Sequence, residues 1–311
     1  MTPRVLQLAD AAAFFAVYVF WGGTFLARAA AIRSADPLLM AGFQFTLAGL
    51  LMALYASWRR NPRPAARDIW AAALPGFLIL SCGTGLLAWS QQSVPSGRAA
   101  LLTASVPLWM VLLDHAFRKS RPSLREAAGL AAGFSGIAVL VPGEPGAGSA
   151  PALAGSLVLL LAAFLWSLGS LICRGWGAHL PSARWLSLQL LWGGFFLLAA
   201  AAGSGSWGRF NAAAIEPGSW AAFFYLVVLG GFAGFLAYDW LLRRAGAAAA
   251  ASHAFVNPLI AVLLGVFFAG ESLRPGAALA ALLILLSVLL LLPSSAESRL
   301  DAGTGNGRIR V

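Results

Sequence analysis

Ten apolar segments of 19 to 24 residues occupy nearly all of this 311-residue chain, at 11–31, 38–58, 69–90, 97–117, 124–142, 151–173, 182–202, 219–241, 246–269 and 275–293. At a rise of about 1.5 Å per residue, each is long enough to cross a hydrocarbon core of about 30 Å. Lipid offers no water to the backbone, so each segment must satisfy its own N–H and C=O groups as an α-helix. The short alternating strands of a membrane barrel do not occur in the pattern. The first segment is followed by nine comparable ones and ends on no small-residue cleavage site, so it reads as a span rather than a removed leader. Only 10% of residues are charged, against roughly 25% in a soluble domain. Lipid is therefore the expected solvent, and little chain is left over for a soluble catalytic domain.

The net charge of +10 could suggest nucleic acid, but the bases are distributed otherwise. Sixteen of the 21 lie on one side of the spans, in the loops around 59–67, 118–125, 174–184 and 243–244 and near both chain ends. The other side holds Arg28, Arg33, Arg98, Arg209 and Arg274. Positive charge collects on the cytoplasmic side, which places both termini there. Cys82 and Cys173 fall inside spans and read as small apolar residues, with no disulfide or metal spacing.

The second half repeats the first. A shift of 151 residues lays 74–141 on 225–292 without a gap, matching Gly83 with Gly234, Trp89 with Trp240, and Pro107-Leu108 with Pro258-Leu259. The front of each half aligns at another shift, with Trp21 on Trp166. Five spans per repeat is odd, so the second copy enters the membrane from the opposite side. The expected fold is all-α and integral to the membrane, with ten transmembrane helices as two inverted five-helix repeats at 1–145 and 146–293. Residues 294–311 are expected to form a disordered cytoplasmic tail. Inverted repeats of this kind commonly enclose a midplane site served by alternating access.

Three stretches carry a family likeness: Phe20-Trp21-Gly22-Gly23-Thr24-Phe25; Val94 to Ala100 with Val106-Pro107-Leu108; and Ala250 to Gly265 with Gly270-Glu271-Ser272-Leu273. Together with the 5+5 repeat, these resemble the EamA family of the drug/metabolite transporter superfamily over about 11–293. The resemblance implies export of small metabolites such as amino acids across the bacterial inner membrane, through a central cavity lined by both halves. Two positions depart from the family pattern: Ser120 stands where the first half would carry a Glu, and Gln44 where an Arg is often found. Roles attached to those charges do not transfer.

Several residues inside the spans bear on mechanism. Asp114 and Asp239 are possible coupling groups, but each has an Arg four residues on (Arg118, Arg243), the spacing of a same-face ion pair. Glu271, ahead of Pro275, reads either as a cap on the tenth span or as a gating or coupling acid. Arg28 either snorkels outward or receives a substrate carboxylate. His253 and Asn257 share a helix face, and Pro258 frees the carbonyl of Ala254. Pro107 supplies a second hinge, with Thr103 and Ser105 beside it. Trp21, Trp109 and Trp166 lie deep enough to wall a cavity or simply to pack, whereas Trp58, Trp70, Trp207 and Trp220 read as interfacial anchors. Thr24, Gln44, Ser170 and Gln189 are further polar residues within spans. Gly129-Leu130-Ala131-Ala132-Gly133 reads as a close helix approach or a dimer contact.

The expected substrate site therefore comprises Trp21, Thr24, Arg28, Gln44, Trp109, Trp166, Ser170, His253 and Asn257, with hinges at Pro107 and Pro258. No cofactor, metal or nucleic acid is expected, and the unit is a monomer or homodimer in the bilayer. No nucleotide-binding motif occurs. A membrane enzyme would need clustered acids or His pairs, and the three His residues lie on separate segments. A channel or scaffold is the other alternative, against which the internal repeat argues.

Overall fold

The computed structural model describes residues 3–140, 150–244, 252–271 and 275–291. The proposed tail, the loop joining the halves and Arg274 lie outside them. The described residues form ten long helical stretches, two short 3-10 turns at Ser206–Arg209 and Ala212–Ala214, and no strand. The long stretches are α1 (3–31), α2 (Pro37–Trp58), α3 (Ala66–Ser90), α4 (Ser96–Arg118), α5 (Leu124–Leu140), α6 (Ala150–Ile172), α7 (Ser182–Gly203), α8 (Pro217–Arg244), α9 (His253–Ala269) and α10 (Pro275–Leu291). Seven of them, all but α5, α9 and α10, are long and apolar enough to cross a membrane.

Helix starts are set by local chemistry. Asp36 caps α2 by accepting from the N–H groups of Leu38 and Leu39 at 2.9 and 3.2 Å, and Pro37 occupies the first turn. Ser123 and Glu126 cap α5, where the Ser123 N–H and hydroxyl each donate to the Glu126 carboxylate at 2.7 Å.

Three spans are not plain α-helices, as the sequence reading assumes. Residues Ala16–Phe20 of α1, Gly76–Gly85 of α3 and Leu226–Ala233 of α8 are wound as π-helix. The wider turn carries an extra residue that apolar periodicity does not reveal. The 151-residue shift lays the α3 segment across the α8 segment. Span four is also interrupted, because α-helix ends at Thr103 and resumes at Val106. Pro107 has no N–H for the Thr103 carbonyl, and its ring would clash there, so the chain turns through Ala104 and Ser105. Pro258, by contrast, is accommodated inside a continuous α9.

The main packing partners lie in the opposite half. α2 packs on α7, α5 on α10, and α4 on α9. α1 packs on α8 and α9, α6 on α3 and α4, α3 on α7, and α2 on α8. Exchanging each helix for the one five places along leaves this set of pairings unchanged. Small residues permit the approach: a β-carbon on Gly136 of α5 would lie 2.9 Å from Ile284 of α10, and one on Gly42 of α2 would lie 2.7 Å from Leu198 of α7. The Gly129–Gly133 face thus meets α10 within the same chain. The apolar core runs in two main clusters, one around Leu102, Leu108, Leu140, Leu159 and Ile284, the other around Met52, Leu80, Leu190 and Leu197. Trp58 and Trp70 are largely exposed on the outside, as anchors at a lipid interface would be.

Candidate functional site

The wide turn in α1 determines the local chemistry. Winding Ala16–Phe20 as π-helix displaces carbonyls from their usual partners, and side chains of α8 and α9 take them up. The Tyr225 hydroxyl donates to the Phe20 and Val19 carbonyls at 3.0 and 3.4 Å. The Asn257 amide, with its nitrogen turned toward them as the hydrogen bonding demands, donates to the Tyr18 and Val17 carbonyls at 3.2 Å. In return, the Trp21 indole N–H donates to the carbonyl of Gly230, inside the π segment of α8, at 3.0 Å. Two irregular turns from opposite halves are therefore cross-linked by side chains. Asn257 is buried and committed to backbone carbonyls, which makes it a clamp on α1.

Beside this clamp, Trp21 collects an aromatic wall. Its ring lies 5.2 Å from Phe235, 5.3 Å from Tyr238 and 5.0 Å from His253, and Tyr238 meets His253 edge-on at 5.5 Å. All four rings remain partly exposed. The Tyr18 hydroxyl shares a hydrogen bond with the Ser252 hydroxyl at 2.7 Å. Of the predicted site residues, the structure thus brings Trp21, Thr24, His253 and Asn257 together. Thr24 donates to the Trp21 carbonyl at 2.6 Å and packs over Gly230.

The remaining predicted residues sit elsewhere. Trp166 packs on Gly83 of α3, where a β-carbon would meet its ring at 3.0 Å, and Ser170 bonds back to the Trp166 carbonyl at 2.8 Å. Trp21 packs on Gly234 in the corresponding way, and both contacts join positions that the two repeat shifts superpose. Trp109 packs instead against Phe134 and Phe164, and Gln44 is buried in α2. The tyrosines were missed. Only four occur in the chain, and three of them, Tyr18, Tyr225 and Tyr238, gather around the Trp21 turn.

Arg28 does not reach outward. It is only 6% exposed, and no hydrogen bond or ion pair engages its side chain among the described residues; its Nε is fully buried without a partner. Trp21, Thr24 and Arg28 are spaced i, i+3 and i+7, so they lie along one stripe of α1 over about 10 Å.

The acids are engaged. Asp114 pairs with Arg118 at 2.8 Å and has Arg174 at 3.9 Å; Asp239 pairs with Arg243. Both fulfil the four-residue spacing. Glu271 departs from the expected cap on α10. Its carboxylate accepts from the Ser96 N–H (2.7 Å), the Ser96 hydroxyl (2.6 Å) and the Gly97 N–H (2.9 Å), and so caps α4 from the other half. The reason is backbone geometry: Gly270 takes a left-handed φ of +67°, and the Glu271 N–H bonds back to the Gly265 carbonyl at 3.0 Å. This folds Glu271 back over Gly265 toward α4. No group of three or more His, Cys, Asp or Glu that could hold a metal occurs among the described residues.

Residues 9–141 and 153–292 each match the EamA-like transporter family. The chain belongs to this family. The EamA-like protein is 34% identical over 263 residues to the uncharacterized inner membrane transporter YedA of Escherichia coli (strain K12), covering 84% of this chain and 83% of that one. It is 27% identical to the uncharacterized transporter YvbV of Bacillus subtilis (strain 168), covering 92% of each. It is 26% identical to a probable terminal-alkyne amino-acid exporter of Streptantibioticus cattleyicolor, covering 85% and 87%. A crystal structure shares the fold with a TM-score of 0.62 at 19% identity, covering 95% of this chain and 99% of that one. The EamA-like protein is thus a multi-pass membrane transporter.

Proposed function

We propose that this EamA-like protein is a secondary carrier exporting small amphipathic metabolites, foremost neutral or aromatic amino acids, across the bacterial inner membrane. The observation that carries the reading is the α1 stripe: an aromatic wall at Trp21 and, about 10 Å along the same face, a buried guanidinium with no partner among the described residues. Burying a cation unpaired is expensive, and a substrate carboxylate would relieve that cost with charge-assisted hydrogen bonds. The wall suits an apolar or aromatic side chain. Family membership supports the export direction.

In this reading 1–145 and 146–293 are inverted repeats with both termini cytoplasmic, and the helix exchange by five supports alternating access between them. One chain suffices, alone or in a homodimer. Counterflow in proteoliposomes, with labelled amino acids and with or without a pH gradient, tests the proposal. Uptake of neutral or aromatic amino acids that falls at least tenfold in Arg28→Gln supports it. Uptake unaffected by Arg28→Gln, or none across the panel, overturns it.

A further inference from the structure

One turn before Arg28 along the same helix, a second buried polar group has an unused atom of the opposite sense. Gln91, at the end of α3, donates its amide N–H to the Phe25 carbonyl at 2.9 Å. That bond fixes which end of the amide is oxygen. The side chain is 7% exposed, and its Oε1 is buried with no hydrogen-bond partner. Phe25 and Arg28 are three residues apart, so the amide is anchored about 4.5 Å along the helix axis from Arg28. An unpaired donor and an unpaired acceptor are thus both buried, on side chains whose anchor points on α1 lie within one helical turn. Leaving each unmade is costly, and the described residues supply no partner for either.

Gln91 is also approachable. It lines a recess of about 350 Å³ together with Leu26 and Ala29 of α1, Arg33 just beyond that helix, Ser96 of α4, and Glu271, while Arg28 lies behind this lining. A neutral donor alone or a bare anion would satisfy only one of the two groups. A molecule carrying both an ammonium and a carboxylate on neighbouring atoms satisfies both. We propose that Arg28 and Gln91 together read a zwitterion, the guanidinium taking the α-carboxylate and the Gln91 carbonyl oxygen the α-ammonium of a free amino acid. This rests on the carboxylate reading of Arg28 above and adds a specificity-determining residue from α3. It excludes amines, keto acids and N-acylated amino acids as good substrates.

The test is competition in counterflow. A transported labelled amino acid is competed by its unlabelled self, by the deamino acid (carboxylate only) and by the decarboxylated amine (ammonium only). In the unmodified protein both analogues are expected to compete at least tenfold less well. Gln91→Met, which keeps side-chain volume and removes the acceptor, is expected to raise the half-saturation of the amino acid at least tenfold. It should leave the deamino acid unchanged. A deamino acid that competes equally in the unmodified protein overturns the role of Gln91 while the carboxylate reading stands. An amine that competes equally overturns the carboxylate reading. If Gln91→Met weakens amino acid and deamino acid alike, Gln91 is only a tether to Phe25. Should that variant fail to fold, as judged by its elution and thermal midpoint in detergent, the competition series in the unmodified protein still decides.

Discussion

Replacing Glu271 by Gln should loosen one end of the molecule. The carboxylate accepts three hydrogen bonds of 2.6–2.9 Å from Ser96 and Gly97, at the helix start of the opposite half. A glutamine can keep its oxygen on Ser96 but must then present N–H₂ to the Gly97 N–H. One buried donor is left unsatisfied, at about 1–3 kcal/mol. The lost charge at a helix N-terminus adds about 0.3–1 kcal/mol. The sum, roughly 1.3–4 kcal/mol, corresponds to about a 10- to 700-fold shift between a joined and a separated arrangement of α4 and α9. The assay is thiol labelling of Ser93→Cys, which faces the recess beside Ser96, in a background lacking Cys82 and Cys173. Labelling should accelerate at least tenfold with Glu271→Gln, and the thermal midpoint in detergent should fall by several degrees. Equal labelling rates and equal midpoints would refute the reasoning, because they would mean that the carboxylate holds nothing.

Three further outcomes are expected. Asn257→Ala strands the Val17 and Tyr18 carbonyls and should lower the thermal midpoint, at about 1–3 kcal/mol per buried group, whereas His253→Ala should lower transport with yield retained; the two are separated by size-exclusion yield against counterflow rate. Asp114→Asn breaks only a partly exposed ion pair and should cost at most about 1 kcal/mol, so folded yield should shift slightly and turnover stay intact; transport that becomes insensitive to pH would instead make Asp114 a coupling residue. Gly234→Ala drives a β-carbon into the Trp21 indole, against Nε1 and 2.8 Å from Cδ1, and should destabilise by about 1–3 kcal/mol, read from the thermal midpoint, while the same change at exposed Gly218 should be silent.

Much of the scaffold was legible because bilayer thickness and apolar run length are tied directly to sequence. The ten helical stretches fall where the apolar segments do, and the Asp114–Arg118 and Asp239–Arg243 pairs follow from helical spacing alone. Three things were hidden. The π turns depend on hydrogen-bond register, to which residue type is nearly blind. Glu271 reaches Ser96 across 175 positions, a contact that only tertiary structure can set. The burial of Arg28, in place of snorkelling, is set by tertiary packing, and nothing in the sequence pattern marks Gln91 at the end of its span.

The cross-half pairing also bears on how the chain is made. α2 and α5 find their main partners in α7 and α10, so the first five helices enter the bilayer before the surfaces they require have been synthesised. At about 5–20 residues per second, that interval is on the order of ten seconds. During it the glycine-lined faces of α2 and α5 stand open to lipid, to chaperones, or to the same faces of another nascent chain. Final assembly must then be late and concerted, closing only when α10 arrives. A truncation that removes α10 would leave a half-built bundle with α5 still unpartnered.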